Sequence, residues 1–127
     1  MAEKLEAMVV LGIRNSRMKD FYDIRELSKR FSFHGAELSQ AIMATFHRRQ
    51  TPIPTDEPFA LTEEFASDAS KRQQWVGFLR RLKIDPTLNP LENVIHDIRT
   101  FLLPPIAASR TSDDWDAEWE PESGWKR

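Results

Sequence analysis

The apolar residues after Pro90 recur at the spacing of an α-helix, and this stripe is the clearest pattern in the 127-residue chain. Intervals of three and four residues predict one helix that buries a single face. Pro90 suits the first turn, where no backbone donor is needed, and the Pro104–Pro105 pair is expected to stop the helix. The stripe consists of Leu91, Val94, Ile95, Ile98, Phe101 and Leu102.

Four further segments show the same periodicity, and no segment offers a convincing strand. Helices are predicted over 2–15, about 18–31, about 36–49 and the greater part of 61–83, the last preceded by a short helical turn. The fold class is therefore all-α, a compact bundle of about five helices with short connections. The predicted core stripes are Leu5, Met8, Val9 and Gly12; Phe21, Ile24, Leu27 and Phe31; Leu38, Ala41, Ile42, Thr45 and Phe46; and Trp75, Phe78, Leu79 and Leu82.

The C-terminal residues differ from the rest of the chain in charge. Residues 1–108 carry 15 lysines and arginines against 14 carboxylates, whereas residues 109–127 carry 3 against 6. The chain is therefore divided into a helical bundle domain, 1–108, and an acidic tail, 109–127, that is either docked or disordered. Three tryptophans in the tail are expected to dock on the domain or on a partner, and two of them share a face if the tail is helical. They are Trp115, Trp119 and Trp125.

Several functional classes are excluded by what the sequence lacks. Without cysteine there is no disulfide, thiolate metal site or cysteine nucleophile. No apolar run approaches a membrane span, and no basic leader precedes an apolar stretch, so a cytoplasmic location is expected. The neutral body argues against a globally basic nucleic-acid binder. No Gly-x-Ser-x-Gly elbow or glycine-rich phosphate loop is present, and no metal site is predicted, because the histidines are scattered: His34, His47 and His96.

Charged residues concentrate in "NSRMKDFYDIRELSKRF", residues 15–31. Asn15 and Ser16 are expected to end the first helix and cap the next. The charges that follow have two interpretations, which the spacing leaves open. They are either solvated charges that suit a helix N-terminus, or cations and carboxylates placed around an anionic substrate. Lys4, on the preceding helix, is likewise either a solvated lysine or a phosphate ligand. The segment's charges are Arg17, Lys19, Asp20 and Asp23.

The stretch "AEKLEAMVVLGIRNSRMKDFYDIRELSKRF" resembles the signature of the AbiEii/AbiGii family of nucleotidyltransferase toxins from type IV toxin–antitoxin and abortive-infection systems. The family pattern is a lysine in an A-E-K-L-x-A helix, a short turn with a basic residue, and K-D-x-x-D at the next helix. The resemblance continues through "QWVGFLRRL" and the closing "FLLPP" and tryptophan-containing segments. Here the pattern is matched by Lys4, Arg17, Lys19, Asp20 and Asp23.

The resemblance implies an enzyme with two parts. One half is similar to the DNA polymerase β nucleotidyltransferase fold and carries a Gly-Ser motif and paired metal-binding aspartates; the other half is helical. Such enzymes transfer a nucleotide from an NTP with Mg²⁺, in some members to tRNA. This sequence lacks the Gly-Ser motif and the aspartate pair. It is therefore expected to be the helical half alone, inactive by itself and binding neither Mg²⁺ nor NTP until the complete enzyme is assembled.

The resemblance also implies a role for each matching residue. Lys4 and Asp20 would be catalytic, with Asp20 as the catalytic or orienting carboxylate. Lys4, Arg17 and Lys19 would bind the nucleotide, and Lys19 and Asp23 would support Asp20. The expected partner is the nucleotidyltransferase half or an antitoxin, and self-association would cover an apolar patch around the first two helices. The alternatives are a non-catalytic protein-interaction module that binds a separately encoded partner, and an inert remnant.

Overall fold

The computed structural model describes residues 1–111 and 115–127, which contain six α-helices and one three-stranded antiparallel sheet. The predicted all-α bundle is therefore confirmed. The prediction that no segment forms a strand is wrong. Strands of two or three residues are too short to show an alternating pattern in the sequence. The helices are α1 (Ala2–Leu11), α2 (Met18–Arg30), α3 (Gly35–Arg48), α4 (Glu63–Ser67), α5 (Ala69–Arg81) and α6 (Leu91–Thr111); the strands, in sheet order, are β1 (Phe33–His34), β2 (Glu118–Glu120) and β3 (Gly124–Lys126).

Helix α6 lies at the centre of the bundle and packs against α2, α3 and α4. All six residues of its predicted stripe are buried, because they form the one face that the other helices cover. Helix α1 packs on α3. Its N-terminal half is thereby held beside the start of α2, where the predicted site residues lie.

The Pro104–Pro105 pair does not stop α6, which continues to Thr111. A proline at 105 removes the backbone donor that would otherwise reach the carbonyl of Phe101, one turn earlier. The indole Nε1 of Trp125 donates to this carbonyl at 2.8 Å. The helix therefore passes the proline because a side chain from the C-terminal hairpin takes the place of the missing N–H.

Four residues of the predicted stripes do not lie where the periodicity put them. Helix α1 ends at Leu11, because Gly12 has φ 53° and begins a 3₁₀ turn. Helix α2 ends at Arg30, so Phe31 is extended and about half-exposed. Ala41 lies on the outer face of α3. Leu82 follows the last turn of α5 and is exposed.

The C-terminal tryptophans pack on the bundle from a segment that forms a β-hairpin, so the condition for a shared helical face is not met. The ring centroid of Trp119 lies 4.9 Å from that of Phe101, and its Nε1 donates to the carbonyl of Ser28 at 2.7 Å. Trp125 stacks parallel to the same phenyl ring, and Trp115 contacts Trp125 with centroids 4.6 Å apart. Helix α6 runs through positions 108 and 109 without a break, while the division of the chain there into two units stays a prediction.

Gly35 starts α3 directly under this hairpin. Its N–H donates to the carbonyl of Ala117 at 2.6 Å. A Cβ at position 35 would lie 2.7 Å from the ring of Trp115. Only a residue without a side chain allows the hairpin backbone to approach this closely.

None of the described helices is both long and apolar enough to cross a membrane.

Candidate functional site

The ammonium group of Lys4 bridges two carboxylates that project from the first two turns of α2. Its Nζ donates to Asp20 Oδ1 at 3.1 Å and to Asp23 Oδ2 at 3.2 Å. The residues are 16 and 19 positions apart in sequence, so only the tertiary fold brings them together. This contact joins both halves of the predicted motif.

Two further cations complete the network. Arg17 Nε lies 3.0 Å from Asp20 Oδ2, and Lys19 Nζ lies 2.7 Å from Asp23 Oδ2. All five residues singled out by the family pattern therefore form one cluster of three cations and two carboxylates. The cations are the exposed members, with side chains 31%, 56% and 74% exposed for Lys4, Arg17 and Lys19, whereas that of Asp20 is 6% exposed. The cluster presents a net positive charge to solvent around a buried acid.

Arg17 and Asp20 meet as an ion pair whose atoms are close but poorly aligned. The Oδ2 atom of Asp20 is buried and accepts no well-directed hydrogen bond from the described residues. The 3.0 Å separation still gives a Coulombic attraction, which solvent weakens because the Arg17 side chain is 56% exposed. Position 20 also lies in the first turn of α2, where a carboxylate is stabilised by the helix dipole. Asp20 is therefore placed to hold two cations.

The linker between α1 and α2 is built around Asn15, which is completely buried. The expectation that Asn15 and Ser16 cap α2 is wrong, since Arg17 occupies the N-cap position without a side-chain cap bond. Instead, Asn15 Oδ1 accepts from the N–H of Arg17 at 2.8 Å, which tightens the turn before the helix. The carbonyl of Asn15 accepts from Lys71 Nζ at 2.8 Å.

A second polar contact holds α1 against the chain that follows α3. The buried carboxylate of Glu6 accepts from Arg49 at 2.8 Å and from Thr51 at 2.7 Å. The hydrogen bond from Arg49 is the main reason that the pKa of Glu6 lies below its usual value. Because Glu6 is half a turn from Lys4, this anchor also fixes the helix that carries the lysine.

The network shifts two pKa values in the direction that favours charge. The hydrogen bond to Asp20 is the main cause of a raised pKa at Lys4, against partial burial, which acts the other way. Burial raises the pKa of Asp23, but the hydrogen bonds from Lys19 and Lys4 outweigh it, and the pKa lies below its usual value. Both groups therefore remain ionised at neutral pH.

Lys4 and Asp23 also line an open groove of about 260 Å³ that continues along α2. Its far wall contains Leu27 and the half-exposed ring of Phe31. The charged side chains of the lining are two cations, Lys4 and Arg30, and two carboxylates, Asp23 and Glu26. The groove therefore places an apolar surface beside cations, a combination that suits the flat base and charged phosphates of a nucleotide.

The described residues contain no group of three histidine, cysteine, aspartate or glutamate side chains placed to hold a metal ion. Both carboxylates of the cluster are already engaged by cations. The cluster therefore does not fit Mg²⁺ by itself. His34 lies 3.4 Å from Glu118 at the sheet, and His47 and His96 are exposed.

Sequence reasoning missed Lys71 and misread Asn15. Lys71 lies in the polar run "ASKRQQW", where nothing distinguishes it from its solvated neighbours. Its partner lies 56 residues away, so no local pattern could have revealed the contact.

We expect Asp20→Asn to lower the pKa of Lys4 towards its ordinary value of 10.5, because Asp20 supplies the main hydrogen bond and part of the charge that raise it. NMR titration of the lysine side-chain resonances measures this shift. Glu92→Gln breaks the exposed Arg72–Glu92 pair elsewhere and serves as the matched control that should leave Lys4 unchanged. An equal effect of the two substitutions would contradict the assignment of the network.

A family model matches most of the chain. The family model described as nucleotidyl transferase AbiEii toxin, type IV TA system, matches residues 1–116. No curated protein and no solved structure matches this chain.

Proposed function

Because the chain belongs to the AbiEii family of nucleotidyltransferase toxins from type IV toxin–antitoxin systems, we propose that its charged cluster is the phosphate-binding part of a nucleotidyltransferase site. The observation that carries the proposal is the bridge from Lys4 to Asp20 and Asp23, which draws the separate parts of the family motif into one place. The catalytic partner is a polymerase-β-like half that supplies the metal-binding carboxylates.

In this proposal the three cations bind the phosphates of an NTP. Lys4 acts as a point charge at the mouth of the groove, and Arg17 and Lys19 approach from the start of α2. Their exposure leaves them free to exchange part of their contact with the carboxylates for contact with phosphate oxygens. Cations placed in advance around a transferring phosphoryl group stabilise the charge that develops on it.

The carboxylates have the complementary task of orientation. Asp20 is held between Lys4 and Arg17 and keeps both cations in defined positions. Asp23 does the same for Lys4 and Lys19. Without these acids the three cations would repel one another, and the long side chains would lose a defined position. Asp20 is thus proposed as an orienting carboxylate of the catalytic site, supported by Asp23.

Mg²⁺ and tight NTP binding belong to the complete enzyme in this proposal. Because the three cations are exposed, we propose weak nucleotide binding by the chain alone, in place of the expectation from sequence that it binds none. The metal would be held by carboxylates of the polymerase-β-like half and would polarise the transferred phosphoryl group. The acceptor would be an RNA end such as that of a tRNA. The chain alone is proposed to be inactive, so incubation with labelled NTP and tRNA should label no RNA, and labelling above a no-protein control would contradict this part of the proposal.

An NMR titration of the chain with Mg²⁺–NTP tests the phosphate-binding role directly. We expect weak binding, with a dissociation constant on the order of 1 mM, and shifts concentrated at Lys4 and residues 17–23. Lys4→Met should weaken binding about tenfold, because it removes one charge-assisted contact of about 1.4 kcal/mol.

The control for this titration is Lys126→Met, which removes an equivalent charge from an exposed position on β3. It should leave the affinity unchanged. The absence of shifts at about 10 mM nucleotide, or equal losses in the two variants, would contradict a phosphate-binding role for the cluster.

A second candidate function is supported by exposed apolar residues at the end of α1. Val10, in α1, and Ile13, in the 3₁₀ turn that follows it, are each about half-exposed. Such a surface suits a protein partner, either an antitoxin or the separately encoded half. If the neighbouring reading frame encodes this partner, Ile13→Glu should abolish co-purification of the two proteins. Leu88→Glu is the control, since Leu88 is more exposed and lies between α5 and α6; equal effects would argue against the α1 surface.

A further inference from the structure

Lys71 is a buried lysine without an acidic partner among residues 1–111 and 115–127. It lies in the first turn of α5 with 6% of its surface exposed. Its Nζ donates to the main-chain carbonyl of Asn15 at 2.8 Å and, at the long distance of 3.5 Å, to Gln74 Oε1. It also lies 5.7 Å from the centroid of the Phe65 ring. Burial of an ammonium group beside a neutral carbonyl is costly, and a ring face compensates only in part. A purely stabilising role would be met better by an apolar side chain.

The carbonyl that Lys71 contacts belongs to the residue that sets the start of α2. Asn15 donates its N–H to the carbonyl of Gly12 at 3.1 Å and accepts from the N–H of Arg17 through Oδ1. With the bond from Lys71, three hydrogen bonds fix this one buried residue. Two positions later the chain reaches Arg17, and three positions after that Asp20, whose ion pair forms one side of the charged cluster.

We infer that Lys71 is a positioning residue: it fixes Asn15, and through Asn15 it holds Arg17 against Asp20 in the geometry that phosphate binding needs. The functional consequence rests on the function proposed above, whereas the mechanical connection from Lys71 to Arg17 does not. Lys71 lies on α5, outside the family's lysine and Lys-Asp motifs, and it connects the start of that helix to the mouth of the site. Loss of the ammonium group would leave the Asn15 carbonyl without this donor and free the linker to move.

Amide hydrogen exchange at Arg17 tests the mechanical connection. Lys71→Met keeps most of the side-chain volume but removes the donor, and the Arg17 amide should exchange about tenfold faster than in the unmodified chain. Lys71→Arg retains a cation with donors and should restore at least half of the lost protection. Ile106→Val, a buried change on α6, is the control for general loss of stability.

The result that would overturn the inference is unchanged exchange at Arg17 in Lys71→Met. Equal acceleration in Lys71→Met and in Ile106→Val, after correction for their melting temperatures, would overturn it as well, because the effect would then be general. If Lys71→Met does not fold, Lys71→Arg is compared with the unmodified chain instead. The guanidinium group places its donors differently from the ammonium group, so amide exchange should change more at Arg17 than in α3.

Nucleotide affinity separates the two proposals. Lys71→Met should weaken Mg²⁺–NTP binding about fivefold in the unmodified background and have no effect in an Arg17→Ala background, because it acts through Arg17. Additive losses in the double variant would overturn the positioning role. If the unmodified chain binds no nucleotide, the proposed function fails, and the exchange of the Arg17 amide still decides whether Lys71 fixes the linker.

Discussion

Phe101→Ala is expected to lower the free energy of unfolding by about 3–5 kcal/mol, because it removes a large ring from the centre of the core. The phenyl ring is completely buried in α6 and contacts the rings of Phe33, Trp119 and Trp125, with centroids 4.9–6.0 Å apart. Truncation leaves a cavity between the bundle and the sheet that neither can close. Urea denaturation followed by tryptophan fluorescence measures the loss.

The matched control is Phe59→Ala. Phe59 is 40% exposed and meets Phe65 edge-on at 6.5 Å, so its truncation removes less buried surface and opens no enclosed cavity. Its expected cost is about 1 kcal/mol. Similar losses at positions 59 and 101 would show that the aromatic cluster on α6 is not the centre of the core.

Gly35→Ala is expected to cost about 1–3 kcal/mol and to displace the hairpin from α3. The new methyl group would lie 2.7 Å from Trp115 Cε3 and 2.8 Å from the carbonyl oxygen of Ala117, which is backbone and cannot move alone. The displacement should change the tryptophan emission spectrum as well as the melting temperature.

Gly77→Ala is the same chemical change as Gly35→Ala, but it is expected to raise the stability of the protein. Position 77 lies inside α5, and a Cβ there would meet no atom within 4 Å. Alanine should therefore stabilise the protein by about 0.5–1 kcal/mol through its higher helix propensity. If both substitutions change the melting temperature in the same direction, the close approach of the hairpin to Gly35 is contradicted.

The fold was predictable where one helix face carries the information. The apolar stripe of α6 is buried as expected. Its spacing of three and four residues can be recognised from neighbouring residues in the sequence alone. The end of this helix was not predictable, since the donor that compensates for Pro105 comes from Trp125, in a different element. The strands were likewise invisible, because β1 has two residues and its partner lies near the other end of the chain.

The candidate site was predictable in membership but not in geometry. The family pattern named Lys4, Asp20 and Asp23, yet spacing alone could join only residues one turn apart, such as Lys19 and Asp23. The bridge from Lys4 depends on how α1 packs, which no local pattern states. The contact of Lys71 with Asn15 was not predicted, because a buried lysine and a solvated lysine cannot be distinguished in the sequence.

The bond from the Trp119 indole to Ser28 spans 91 residues, and it has a consequence for how the chain folds. Contacts between distant residues form only after the entropy of closing a long loop has been lost, and they slow folding. Helices α2, α3 and α6 must already form a surface before the hairpin can dock. We therefore expect docking of residues 115–127 to be a late folding event that completes α6 at Pro105 in the same step.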